Sequence, residues 1–82
     1  MPQDIRLKQF LENIVKPILD YPDEVKINEV HGESVCIYEL RVSKGDFGKI
    51  IGKHGQNANS LRILLSAVAA KVGKRVILEI VE

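Results

Sequence analysis

The residues best equipped for chemistry lie between Gly48 and Asn57, GKIIGKHGQN, where three glycines, two lysines and a histidine surround two isoleucines. Glycines let an anionic group approach the main chain, and lysine, histidine and backbone amides donate to it, so the implied chemistry is phosphate binding. Spacing decides which kind. A nucleotide P-loop requires G-x-x-x-x-G-K-[ST], with its hydroxyl on magnesium. Here three residues separate Gly48 from Gly52, and Lys53 is followed by His54. The dinucleotide pattern G-x-G-x-x-G fails because Ile50 stands two positions before Gly52. What remains is Gly52-Lys53-His54-Gly55, a tight turn between two helical segments that a sugar-phosphate backbone can approach. Lys53 and His54 occupy its exposed middle, and Lys49, one helical turn earlier, is expected on the same side. Of Ile50 and Ile51, one is expected to anchor the short helix and the other to line a shallow groove. The amides opening the next helix, at Gln56 and Asn57, point toward the same space with the positive end of the macrodipole behind them.

Other chemistries find little support. No Ser, Cys or carboxylate is tied by motif to His54, which argues against an enzyme. Asp46 reads as a cap for the first turn of a short helix, and His31 as an exposed residue of a hairpin turn. Cys36 is the only cysteine, which excludes an internal disulfide and a CxxC metal site and suits a reducing compartment. Two histidines and one strand cysteine, well separated in the chain, do not readily supply a metal-ligand set. Neither a metal nor a small-molecule cofactor is expected.

Charge is distributed unevenly along the 82 residues, whose formal net charge is only +1. From Lys44 to Arg75 there are seven basic residues, including Arg62, against the single acid Asp46, whereas residues 1–43 carry five basic and eight acidic groups. The positive charge is therefore concentrated around the glycine turn, and an electropositive face on a nearly neutral molecule follows. An apolar fraction of 45% and a charged fraction of 28% are those of a globular domain. No apolar run approaches the roughly 20 residues that cross a bilayer, and the charged N-terminus MPQDIRLKQF lacks an export signal. A cytoplasmic domain spanning residues 1–82, with no membrane contact, is the expectation.

The elements that must position the turn follow from periodicity. A helix is expected over about Asp4–Asp20, with Leu7, Leu11, Ile14, Val15 and Ile18 on one stripe and a kink or break at Pro17. The strands EVKINEV and SVCIYELRV follow, joined by His31, Gly32 and Glu33, with Cys36, Tyr38, Leu40 and Val42 facing the core. Tyr38 is expected to be half-buried in the sheet. KGDFGKII reads as a short helix. A longer one runs from about Gln56 to Val72, with Ala58, Leu61, Leu65, Val68 and Val72 on its stripe and Gly73 as its stop. RVILEIV is the last strand. The two-helix crossover is long enough to return it parallel to its predecessor. The fold class is α+β, in the order α-β-β-α-α-β, with a three-stranded mixed sheet and helices on one face.

The GKIIGKHG segment, in this helix and strand framing, resembles the I-I-G-x-x-G signature of KH domains, which clamp about four single-stranded nucleotides with a GXXG loop. The element order resembles the type II KH arrangement, and YPDEVKI and RVILEIVE add similarity over nearly the whole chain to the small bacterial single-KH proteins of the KhpA family. The resemblance implies single-stranded RNA as ligand. Phosphates would meet Gly52, Lys53, His54 and Gly55, bases would rest over Ile50, Ile51 and Ala58, and Lys49 and Arg62 would supply further charge. Gln56, Asn57 and Asn59 read equally as RNA contacts and as plain helix-start residues. Ala58 departs from the large aliphatic that many KH domains carry at this position, which implies a shallower and less selective groove. The resemblance further implies a homodimer, or a heterodimer with a second KH-containing protein of the KhpB or Jag type. It implies a role as an RNA chaperone and post-transcriptional regulator linked to cell-wall growth and cell shape. The competing reading is a protein-protein assembly module, for dimerisation or as a ribosome-associated scaffold, with only weak nucleic-acid binding.

Overall fold

The computed structural model describes residues 3–81, with side chains described from Leu7 onward. Helix α1 (Gln3–Val15) buries Leu7, Leu11 and Val15 and packs Phe10 and Ile14 against the same core. It ends earlier than the apolar stripe suggests. Pro17 has no amide hydrogen to continue the ladder, so Lys16–Ile18 tightens into one 3-10 turn and Leu19 becomes extended. The break moves Ile18 outward to 46% exposure and gives its place in the core to Leu19, which is buried. A second 3-10 turn, Pro22–Glu24, leads into the sheet.

Strands β1 (Lys26–His31), β2 (Val35–Arg41) and β3 (Arg75–Val81) lie side by side in that order. The first pair is antiparallel and the second parallel. Cys36, Tyr38, Leu40 and Leu78 are buried beneath the helices, with Ile27, Val76 and Ile80 partly so. Tyr38 is fully buried, deeper than its polar tip suggests, because its hydroxyl finds Cys36 and Glu29 as partners. The opposite sheet face carries the Asn28 to Glu39 side-chain hydrogen bond (2.8 Å) and a row formed by Val30, Ile37 and Ile77 in register. His31 is not in the hairpin turn, as the sequence suggests. It is the last residue of β1, directly opposite Cys36, and the turn is Gly32–Ser34, closed by Gly32 N–H donating to the Val35 carbonyl (2.7 Å).

From β2 the chain enters a 3-10 turn (Lys44–Asp46), then helices α2 (Phe47–Ile51) and α3 (Gln56–Ala70). Helix α3 turns Ala58, Leu61, Leu65 and Ala69 into the core, the three- and four-residue spacing of a single buried stripe. It stops short of Val72 in a Schellman motif: the amide of Gly73 (φ 72°) bonds to the Ala70 carbonyl and that of Lys74 to the Ala69 carbonyl. Ala69, rather than Val72, is the last fully buried residue of the stripe.

Leu65 is 1% exposed whereas Ile63, on the outer face of the same helix, is 69% exposed. Leu65→Ala is therefore expected to cost about 2–5 kcal/mol in urea unfolding, and Ile63→Ala to stay within about 0.5 kcal/mol of the parent.

Candidate nucleic-acid interface

The position of the glycine turn is set upstream by Asp46, whose side chain is fully buried. The sequence marks it as a cap for its own helix, but it makes no such bond. Its carboxylate instead reaches across the fold: Oδ1 accepts the amide of Asp20 (3.0 Å) and Oδ2 that of Tyr21 (2.9 Å). These amides are left over where Pro17 has ended α1, and a buried carboxylate needs such donors. The tertiary partners prevail over the local cap. Burial pulls the Asp46 carboxyl upward, but the two amides and the nearby Lys49 ammonium outweigh it and hold the group below the ordinary value of 3.8.

Lys49, expected beside Lys53, is bound elsewhere. Its ammonium pairs with Asp20 Oδ2 at 2.6 Å, which raises the Lys49 pKa. Lys49 and Asp46 thus grip the α1–β1 connection at adjacent points. Ile50 is the anchoring isoleucine, at 1% exposure, and Ile51 is half-buried at the end of α2.

The turn itself takes three departures from helical geometry. Gly52 has φ 77° and ψ 174°, a region open essentially to glycine alone. His54 (φ 56°) and Gly55 (φ 74°) are left-handed. Gly52 is required for a second reason: a Cβ there would lie 2.8 Å from the Asn57 Cβ. Asn57 folds over Gly52 and donates from Nδ2 to the Lys49 carbonyl (2.8 Å), capping the end of α2. The sequence leaves Asn57 open between ligand contact and structural residue, and its side-chain amide is occupied structurally.

Lys53 and His54 are exposed on the turn. Helix α3 starts with Gly55 as its N-cap and no side-chain capping bond, so its first-turn amides receive nothing from the cap residue. Gln56 and Asn59 are exposed on that first turn. Arg62, one turn further, lies across the edge of the sheet, donating from Nε to the Leu78 carbonyl (3.3 Å) and from Nη1 to Asn59 Oδ1 (3.4 Å). Ala58 is 3% exposed. Ile50 and Ala58, expected beneath the bases, are both buried, and Ile50 also lines an apolar groove with Ile14, Leu61 and Leu64. The small or inward-turned side chains of Ile50 and Ala58 let α2 and α3 meet closely, and Ile51 adds half-buried apolar surface at the end of α2. Two residues the sequence does not single out complete the arrangement: Asp20, which holds Lys49, and Leu78, which holds Arg62. Neither bond is marked by local spacing.

A short and a long helix joined by a glycine turn, on a mixed sheet whose last strand runs parallel to the central one, is the KH fold in its type II order. The family described as KhpA/KhpB, KH domain, matches residues 8–80, and the chain belongs to it. It is 48% identical to the "RNA-binding protein KhpA" of Clostridium acetobutylicum over 92% of this chain and all of that protein. Identity to the proteins of the same name from Chlamydia trachomatis and Aquifex aeolicus is 50% and 45%, over 93% of this chain in each case and 97% and 96% of theirs. Among solved structures, it is similar to a variant of Aquifex aeolicus Era bound to GDP·AlF4−, with a TM-score of 0.64 at 22% identity. That likeness covers 98% of this chain but 31% of the Era chain and bears on the fold alone.

The two glycines should separate in a stability assay. Gly55→Ala meets only its left-handed backbone and should lose about 1–2 kcal/mol. Gly52→Ala adds the collision with Asn57 to a backbone cost of about 1–3 kcal/mol and should rank clearly worse by denaturant unfolding. For Asp46, whose folded-state pKa lies below the unfolded one, stabilisation is present above about pH 4 and is lost as pH falls through the lowered value. Asp46→Asn should therefore lower the melting midpoint at neutral pH and flatten the acid limb of a stability-versus-pH curve.

Proposed function

We propose that this chain binds single-stranded RNA across the Gly52–Gly55 turn. One observation carries the reading: Lys53 and His54 stand exposed on a turn whose two glycines bring the backbone to the surface, directly before an α3 N-terminus with no side-chain cap. Phosphates would lie against Gly52, Lys53, His54, Gly55 and the amide of Gln56, where donors and macrodipole act together. Arg62 and Asn59 would extend the interface along α3, and Ile51 would offer the apolar surface for a base. Lys49 and Asn57 act one step back, by holding the turn. The names of the relatives, RNA-binding proteins all, support the same ligand. With Ile50 and Ala58 buried, affinity rests on the RNA backbone more than on base identity.

The wider role rests on family resemblance: one KH unit over residues 1–82, acting in the cytoplasm as an RNA chaperone with a partner KH protein in the control of cell wall and cell shape. A protein contact, with a second copy or a KhpB-type partner, has an observation of its own in its favour. Ile18 (46% exposed) and Leu64 (47% exposed) flank an apolar groove lined by Ile14, Ile50 and Leu61, which reaches Lys49 and Asn57 at the flank of the turn. Pairing there would join two small RNA footprints and raise avidity.

The double substitution Lys53→Asp/His54→Asp tests the RNA reading. Aspartate is among the residues that tolerate the left-handed backbone of position 54, so circular dichroism should not change. RNA affinity should fall at least about tenfold for each charge-assisted hydrogen bond that the substitution removes. Parent affinity should also decline steeply with salt. An unchanged dissociation constant in the variant would overturn the assignment, whatever the oligomeric state found by sedimentation.

A further inference from the structure

The inner face of the β1–β2 hairpin carries a group of side chains for which RNA binding has no use. The antiparallel register sets His31 opposite Cys36 and Glu29 opposite Tyr38, so these side chains converge at one end of the sheet. The ligating atoms of Glu29, His31 and Cys36 all lie within 4.8 Å of one another. Cys36 Sγ and His31 Nδ1 are 3.6 Å apart. A tetrahedral zinc ion with Zn–S of about 2.3 Å and Zn–N of about 2.0 Å places its sulfur and nitrogen ligands about 3.5 Å apart. The pair thus already stands at the spacing of two ligands on one ion, with a Glu29 carboxylate oxygen within 4.8 Å of both.

A second observation points the same way. Glu29 Oε2 is buried and has no hydrogen-bond partner among the described residues, and a buried carboxylate oxygen left so is costly. A cation supplies what it lacks. The cluster is also reachable: His31 is exposed, and a surface depression between the hairpin turn and the α3–β3 turn is lined by His31, Cys36, Gly73 and Lys74.

We propose that Glu29, His31 and Cys36 form a binding site for a borderline-soft divalent cation of the zinc class, with water as the fourth ligand. Thiolate and imidazole together favour such an ion over magnesium or calcium. One thiolate and one carboxylate balance its double charge, so the occupied site is neutral in a partly buried region. Binding requires the Cys36 thiol proton to leave for solvent, which makes occupancy rise with pH. Tyr38 serves as the orienting group. It is buried, with Cys36 and Glu29 as the partners of its hydroxyl. The ion would pin β1 to β2 at the end of the hairpin. The inference is independent of the RNA reading.

The test is titration of the chelator-treated, reduced full chain with Co2+. One equivalent should bind, with a near-ultraviolet thiolate-to-cobalt charge-transfer band and the intense visible bands of four-coordinate cobalt, and Zn2+ should displace it. Loss of an outer partner already weakens metal sites 10–100-fold, so His31→Ala and Glu29→Gln should each weaken binding by about 100-fold or more. Cys36→Ser should abolish the charge-transfer band. Because His31 is exposed, His31→Ala keeps the fold, which circular dichroism checks. Zn2+ should raise the melting temperature of the parent and leave that of His31→Ala unmoved. Cobalt bound without a thiolate band, or with equal affinity in His31→Ala, would be held by other surface groups, and the proposal would be wrong.

Discussion

The carboxylate of Asp46 ties the opening of α2 to the chain between α1 and β1, and the glycine turn inherits its position from that tie. Pro17 ends α1 and leaves the connection that follows with backbone amides outside any ladder. Asp46, buried and charged, accepts two of them, at Asp20 and Tyr21. Each side satisfies what the other cannot leave unpaired: an interior carboxylate without donors and main-chain donors without water are both costly. With α2 held at the residue that precedes it and Ile50 set in the core, the place where Gly52 must turn is decided. The Lys49–Asp20 pair is a second, more exposed thread between the same two segments. In a high dielectric such a pair contributes little by itself, and its effect is to orient Lys49.

The elements with strong local signals are legible in the chain alone. The alternation in RVILEIV marks β3 at its observed bounds, Gly73 marks the end of α3 through the backbone conformation that only it adopts cheaply, and Pro17 marks the break in α1. Gly52 and Gly55 stand out for the same reason. What the chain does not announce depends on contacts distant in sequence. Asp46 fits the local rule for a helix cap, and nothing in its neighbours points to amides 25 and 26 positions earlier. Ile50 and Ala58 look available as a platform because spacing alone does not say how closely two short-linked helices pack. His31 sits beside a glycine, where a turn is the natural reading, and only the register shows it facing Cys36.

Two kinds of residue share the turn and its flanks. Asn57 and Lys49 hold its geometry, through the Lys49 carbonyl and the Asp20 carboxylate. Lys53 and His54 project from it. A left-handed histidine between two positive-φ glycines is conformationally expensive, and it persists because α2 and α3 are fixed on either side by Ile50, Ala58 and Leu61 in the core. Rigidity at the flanks is what keeps a charged, glycine-rich tip in one shape.

Arg62 has a consequence of a different kind. Strand β3 forms one border of the sheet, and a border exposes unpaired main-chain groups that can recruit a strand from a neighbouring molecule. By occupying the Leu78 carbonyl, Arg62 blunts that border with a cation fixed over it. Its removal withdraws a positive charge and also uncovers a template for self-association beside the exposed Ile77. A loss of soluble protein in such a variant would then record colloidal failure at the sheet border, a different event from weakened ligand binding.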